Sequence, residues 1–198
     1  VRALTGSWDP ARPTEGAYSA LLTFENGAFA NLTYSGYGHF DSDEFCGWIG
    51  ESGHLKDPMQ YGGARKALAN ISAEDEAKMK AARNYGGKNY AEAVSNAQPP
   101  HHQHFGFVLA ACEHADLRPL PEGVMIYGDA KQYFDPLPAP KIPRAEVIDE
   151  LYQAVIHGVK PLHSGVWSLA TMEVCLALLQ SANQRHEIFL SEQVELGG

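Results

Sequence analysis

Basic residues are scarce in this chain of 198: 15 Lys and Arg face 24 Asp and Glu, a formal net charge of -9. A surface of that sign repels nucleic acid and acidic membranes, so neither is expected as a partner. Cysteine is scarcer, and its count is odd. Cys46, Cys112 and Cys175 lie far apart among apolar neighbours. That pattern argues against a disulfide framework, and it lacks the close ligand pairs of a cysteine zinc site. All three are expected as small buried hydrophobes in a reducing cytoplasm. No apolar run reaches the roughly 18 residues that a membrane span needs. No basic segment leads into an apolar one, so no signal peptide is visible. The first residue is Val, and the chain reads as a piece processed or cut from a longer one.

Several chemical motifs are also missing. Gly36-Tyr37-Gly38-His39-Phe40-Asp41 approaches the dinucleotide fingerprint but lacks its third Gly and opens no helix. "YGGK" lacks the distant first Gly of a phosphate-binding loop, and H-E-x-x-H and G-x-S-x-G do not occur. No nucleotide or phosphate is expected to bind this chain by those devices, and no metal site is assigned.

The sequence that is there reads as strands first and helices last. Ala17–Phe24 alternates, Asn26-Gly27 supplies a two-residue hairpin turn, and the return strand places Phe29, Asn31, Thr33 and Ser35 on one side. That semi-polar face suits solvent, a ligand cleft or a second subunit. "GHFDSDE" (residues 38–44) follows, then a third strand over "FCGWIGE". From about residue 57 to 98 the alternation lapses into an excursion, in which Ser72 to Arg83 reads as a capped polar helix. Strand character resumes at "HFGFVLAACEHA" (104–115) and continues through "PLPEGVMIYGDAKQYF" to a Pro-rich connector. "AEVIDELYQAVIHG" reads as an amphipathic helix with Gly158 as its C-cap. "VWSLATMEVCLALLQSA" is apolar nearly all round, so it is expected to be buried on more than one side. "HEIFLSEQVEL" reads as a last short strand with a frayed end. The class is α+β: an open, mainly antiparallel β-sheet with helices packed on one face. One domain over 1–198 is expected.

Five residues stand out as candidate substrate contacts. His39 ends a strand beside Asp41, Asp43 and Glu44; the acids read as a solvated turn, while a His there suits proton transfer near neutral pH. His104 closes "HHQH" and begins a strand pattern, which points it towards a cleft; the cluster as a whole is an exposed run or a weak metal site. Arg118 precedes a turn and is either paired with Glu113 or Asp116 or a fork for a substrate carboxylate. His163 and Trp167 start the last helix; either Ser164 caps it and Trp167 packs, or the helix N-terminus faces an anionic ligand.

Taken together, "EGAYSALLTFENGAFANLTYSGYGHFDSDE", "WIGESGHL" and "LHSGVWSLATMEVCLALLQSANQRHEIFL" resemble the C-terminal domain of the Gfo/Idh/MocA oxidoreductases. The resemblance runs from about Gly16 to Leu190 and is weakest over 57–98. "HFDSDE", "EHADLRPLPEGVMIYGD" and "LHSGVWSLATMEVCLA" look most like the branch containing phthalate 4,5-cis-dihydrodiol dehydrogenase. The resemblance implies a two-domain enzyme whose N-terminal Rossmann domain, absent here, binds NAD or NADP. The catalytic residues would lie upstream of Val1. This chain would floor the substrate site and make homo-oligomer contacts through its sheet face. The substrate would be a cis-dihydrodiol or a similar cyclic alcohol. By itself the chain would be inactive and bind no cofactor; the alternative is a self-associating module without chemistry.

Overall fold

The computed structural model describes residues 1–11, 14–90, 99–142 and 144–194. It is α+β, with every strand pairing antiparallel. The strands form two sheets rather than one. The chain divides into two compact units: Val1–His39 with Asp149–Gly198, and Phe40–Ile148.

In the first unit, β1 (Arg2–Gly6), β2 (Ala17–Thr23) and β3 (Phe29–Ser35) lie in chain order. The hairpin between β2 and β3 forms, but its loop is longer than two residues. Thr23 pairs with Phe29, the Phe24 amide donates to the Ala28 carbonyl, and only Gly27 takes a positive φ, of 85°. This is a three-residue loop with a glycine bulge. Asn26 keeps a negative φ and uses its side chain instead, accepting from the Ala28 amide.

The helix Gly165–Gln184 (α4 below) packs on β1. Its contact face is made of small residues: Ala170, Ala177 and Ser181 are its buried positions. Ser181 is 0% exposed. Its hydroxyl accepts from the Ala3 amide at 3.0 Å and donates to the His186 carbonyl at 2.7 Å. Losing that hydroxyl would orphan the buried Ala3 amide, at about 1–3 kcal/mol, and release the part-buried His186 carbonyl. The close approach reverses the expectation for this helix. Small residues go inward, so the large stripe Leu169, Met172, Leu176 and Leu179 is exposed rather than buried on several sides. The helix is long and apolar enough to cross a membrane by length and composition alone. Its hydrogen bonds to β1 and to the segment after it make it the helix that covers this sheet.

That segment is not a strand. The Val1 ammonium and the Ile188 carbonyl are bonded, as are the Ile188 amide and the Val1 carbonyl. Beyond them the chain is held by a side chain: Glu173 accepts from the Ser191 and Glu192 amides and the Gln193 side chain. The expected frayed end extends past the described residues. Ser164 caps α4, accepting from the Trp167 amide. The preceding helix, Ala145–His157 (α3 below), forms as expected, with Gly158 at φ 67° after it.

In the second unit, β4 (Ala110–Ala111), β5 (Ala115–Leu120), β6 (Gly123–Gly128) and β7 (Gln132–Pro136) form a meander. The turns at Pro121-Glu122 and Asp129–Lys131 lie where the sequence marks them. Two expected strands do not form. "HFGFVLAACEHA" contributes only the two-residue β4 and the start of β5. "FCGWIGE" is replaced by a 3-10 helix, Ser42–Cys46, and an isolated bridge between Ile49 and Leu55. Local turn chemistry overrides β-propensity there. Asp41 caps the helix through the Asp43 amide, and Gly47 and Trp48 both take positive φ. In the excursion, Ala73–Arg83 (α2) is capped by Ser72 as expected. The short helix Gly63–Leu68 (α1) and the turn Pro58–Gln60 carry no periodic signal. Residues 91–98 of the excursion lie outside the described residues.

The hydrogen bonds to Glu173, the Ser191 amide first, hold its pKa down at about 2, from an ordinary 4.5. A depressed carboxylate stabilises the fold above its unfolded pKa, and that contribution is lost as pH falls through the folded value. Amide exchange at Ser191 and Glu192, corrected for intrinsic rate, should therefore accelerate between about pH 4.5 and 2. In Glu173→Ala the protection should be absent at neutral pH as well. Protection that survives in this variant would remove Glu173 as the anchor.

Candidate functional site

Of the three acids in "GHFDSDE", Asp41 and Asp43 belong to an ion cluster rather than a purely solvated turn, while Glu44 is exposed. The Lys56 ammonium bridges Asp41 and Asp43, at 2.8 Å to Asp43. Its hydrogen bond lowers the Asp41 pKa. Burial would lower the Lys56 pKa, but the two carboxylates outweigh it and raise it. The pair ties the start of the 3-10 helix to the loop after Leu55.

His104 is the next tie, and it is not a cleft residue. Its side chain is 9% exposed, and both ring nitrogens are used. Nε2 donates to the Ile49 carbonyl at 2.7 Å, and Nδ1 accepts from the Gly106 amide at 3.0 Å. Asp43 lies 3.8 Å from Nε2, and the Cys46 sulfur lies 3.5 Å from Nδ1. Cys, His and Asp in a row suggest a nucleophile, but this geometry argues against one. Cys46 is buried, and burial pushes its thiol pKa up. An activated thiol needs the opposite environment. The group is a clamp between the 3-10 helix and the 104–107 loop.

Arg118 rises from β5 beside that clamp. It makes no ion pair with Glu113 or Asp116 among the described residues. One Nη2 hydrogen goes to the Phe45 carbonyl. Its guanidinium carbon lies 5.5 Å from the centre of the Phe107 ring. Its Nε is buried and has no partner among the described residues. Phe45 stands 5.4 Å from Phe40 on one side and 5.4 Å from Phe107 on the other, centre to centre. An under-satisfied guanidinium beside open aromatic rings is the feature of the second unit best fitted to an anionic ligand.

The other predicted residues lie in the first unit. His39 follows β3 in an exposed bend. His163 is held by Glu150 of α3: Nδ1 lies 2.6 Å from one carboxylate oxygen, and its amide donates to the other at 2.8 Å. That bonding lowers the Glu150 pKa. His163 also sits edge-on to Trp167, 4.7 Å between ring centres. The start of α4 thus already has a serine cap and a carboxylate neighbour. His101 pairs with Glu122 and His102 bonds the Pro138 carbonyl, so the histidine run is dispersed. Among the described residues no group of three His, Cys, Asp or Glu is placed to hold a metal. Sequence reading missed Lys56, Glu150 and the three phenylalanines. Only the density of Phe around "HFDSDEF" and "FGF" could have drawn attention to the last.

Cys112 and Cys175 are exposed, not buried as expected. A thiol reagent should modify two cysteines quickly in the native protein, and Cys46 only after denaturation. Rapid modification of all three would contradict the clamp.

Comparison with known proteins gives these contacts a setting. No family model matches the chain. Over 181 residues, 91% of its length, it is 38% identical to 1-carboxy-3-chloro-3,4-dihydroxycyclohexa-1,5-diene dehydrogenase of Comamonas testosteroni. It is also similar to a crystal structure from Bordetella bronchiseptica RB50, provisionally named a dehydrogenase: 43% identity over 93% of the chain, with a TM-score of 0.78. It covers 45% of the first protein and 47% of the second. Over nearly all of its length, the chain is therefore similar to about half of a dehydrogenase.

Proposed function

We propose that this chain is the substrate-binding and subunit-contact domain of a cytoplasmic, NAD(P)-dependent dehydrogenase of the Gfo/Idh/MocA type. Its substrate is a carboxylated cis-dihydrodiol or a related cyclic alcohol. The observation that carries the reading is Arg118: a guanidinium fixed against Phe107 and the Phe45 carbonyl, with no carboxylate partner among the described residues. The similarity to a dehydrogenase named for a carboxylated dihydroxycyclohexadiene supports it.

The residues present do not fit a dinucleotide. Gly36 to Gly38 lies in a turn that leads to a five-residue 3-10 helix, not to the long helix a pyrophosphate needs. The nicotinamide, which accepts hydride from the alcohol carbon when bound, belongs to a domain outside this chain. The part of this domain is to bind and orient the substrate. Arg118 grips the carboxylate, and the clamp around His104 keeps the loops beside Arg118 in place.

In the full-length enzyme, Arg118→Ala should raise KM by roughly tenfold or more, because a charge-assisted bond is worth about 1.5–3 kcal/mol. Arg118→Lys should recover only part of the loss, since an ammonium lacks the planar fork. An unchanged KM would remove Arg118 from the site.

The β1–β2–β3 sheet supplies the subunit contact in this reading. On the face away from Ala3 and Ala20, Leu4 is 68% and Phe29 67% exposed, beside Ser19, Asn31 and Thr33. Such a face, part apolar and part polar, suits a second copy of itself. Phe29→Glu should shift the protein to a smaller species in light scattering; an unaltered mass would count against this face.

A further inference from the structure

We propose that Phe107, Phe45 and Phe40 form an aromatic ledge that takes the flat face of an unsaturated ring whose carboxylate is held by Arg118. The ligand class is a planar aromatic or cyclohexadiene carboxylate, in preference to a saturated ring acid. This deepens the reading above and rests on it for the biological substrate, though not for the binding itself.

Phe40, Phe45 and Phe107 are 59%, 47% and 52% exposed, although each touches another of the three. Neighbouring aromatic rings left open to water on one side form an apolar patch, and such patches mark binding sites. Flat π faces and edges discriminate ring from ring by geometry as well as by area. The local backbone directs the rings outward. Gly106 takes φ 93°, a region that favours glycine, and its amide is bonded to the inward-facing His104. The His104 side chain before Gly106 is turned inward, while Phe107 after it is open. Phe45 is presented by the 3-10 helix, which Lys56 holds through Asp43 and which His104 meets at Asp43 and Cys46.

The charge is placed to match. Arg118 lies over Phe107 and donates to the carbonyl of Phe45, so the same residue touches two of the three ledge members. Its Nε is buried without an acceptor among the described residues, and of the outer fork only Nη2 is engaged, by the Phe45 carbonyl, so the remaining outer N–H groups are left for a ligand carboxylate. The nearby carboxylates of Asp41 and Asp43 are taken by Lys56, so they do not quench the guanidinium. A ring with a carboxylate on it satisfies both halves at once.

The test uses the 198-residue chain itself, with benzoate and cyclohexanecarboxylate as probes, followed by amide and Arg Nε shifts in NMR titrations. Benzoate should move the Gly106 amide and the Arg118 Nε resonance. It should bind roughly 2- to 10-fold more tightly than the saturated acid, the gain expected of an aromatic pair. Phe107→Leu should erase that preference while carboxylate binding persists. Arg118→Gln should abolish binding of both acids. Unchanged amide dispersion outside the 40–47 and 104–120 segments would show that the variants keep their fold. Equal affinity for the two acids, shifts confined to other parts of the chain, or no binding of benzoate would each overturn the ledge. Discrimination in the isolated chain without NAD(P)-dependent turnover by the full-length protein would leave the ledge standing and sink the dehydrogenase reading. Turnover without discrimination would do the reverse.

Discussion

The two hydrogen bonds of the His104 ring are the constraint on which the second unit's surface depends. One nitrogen donates to Ile49 and the other accepts from Gly106, so a single tautomer joins two loops whose one strand-like pairing is the isolated Ile49–Leu55 bridge. Irregular backbone of this kind must find its partners outside a ladder. The His104 ring supplies two of them, the Cys46 thiol bonds the Gly106 carbonyl, and the Asp41 side chain takes the Asp43 amide. The consequence is chemical as well as structural. With those loops set, Phe45 and Phe107 stand beside Arg118, and the guanidinium meets a carbonyl and a ring instead of an acidic side chain. A residue that looks catalytic in the sequence thus has both ring nitrogens taken by backbone groups, and the exposed groups lie one step further out.

The first unit is organised by a different economy of space. Ser181 and Ala177 let α4 lie close on β1, and the Ser181 hydroxyl joins strand, helix and following segment in one buried bond network. A helix can present only one face at such short range. With the small residues used inside, Leu169, Met172, Leu176 and Leu179 are left on the outside. Leu169, Met172 and Leu176 form a groove with Ile188 and Phe189, about 470 Å³, which Glu173, Gln180, Ser191 and Glu192 also line and which carries none of the predicted site residues.

Much of the architecture was legible in the sequence. The β2–β3 hairpin, the β5–β6–β7 meander, the capped helix after Ser72 and both C-terminal helices follow from alternation, turn residues and caps. The misreadings share a cause. "FCGWIGE" and "HFGFVLA" have the composition of strands, but Asp41, Gly47 and Gly106 impose local turns that composition does not register. Among the candidate site residues, Arg118 was singled out for its chemistry. His104 was singled out for a place at the start of a strand, but its ring partners are 55 and 2 residues away and only one of them is near in sequence. The phenylalanine ledge was missed because Phe40, Phe45 and Phe107 come from separate stretches, and an aromatic residue reads as core until its exposure is known.

By itself, the sequence determined the α+β class, the antiparallel pairing, the acidic surface and the resemblance to half of an oxidoreductase. These depend on periodicity, turn chemistry and composition, which are local. The tertiary structure decided which face of α4 is buried, that Cys46 is an inert member of a clamp, and that Arg118 is left without a carboxylate partner among the described residues. Those outcomes depend on distances between residues far apart in the chain, and on the competition between small and large side chains for the same interior space. No single stretch of sequence contains either.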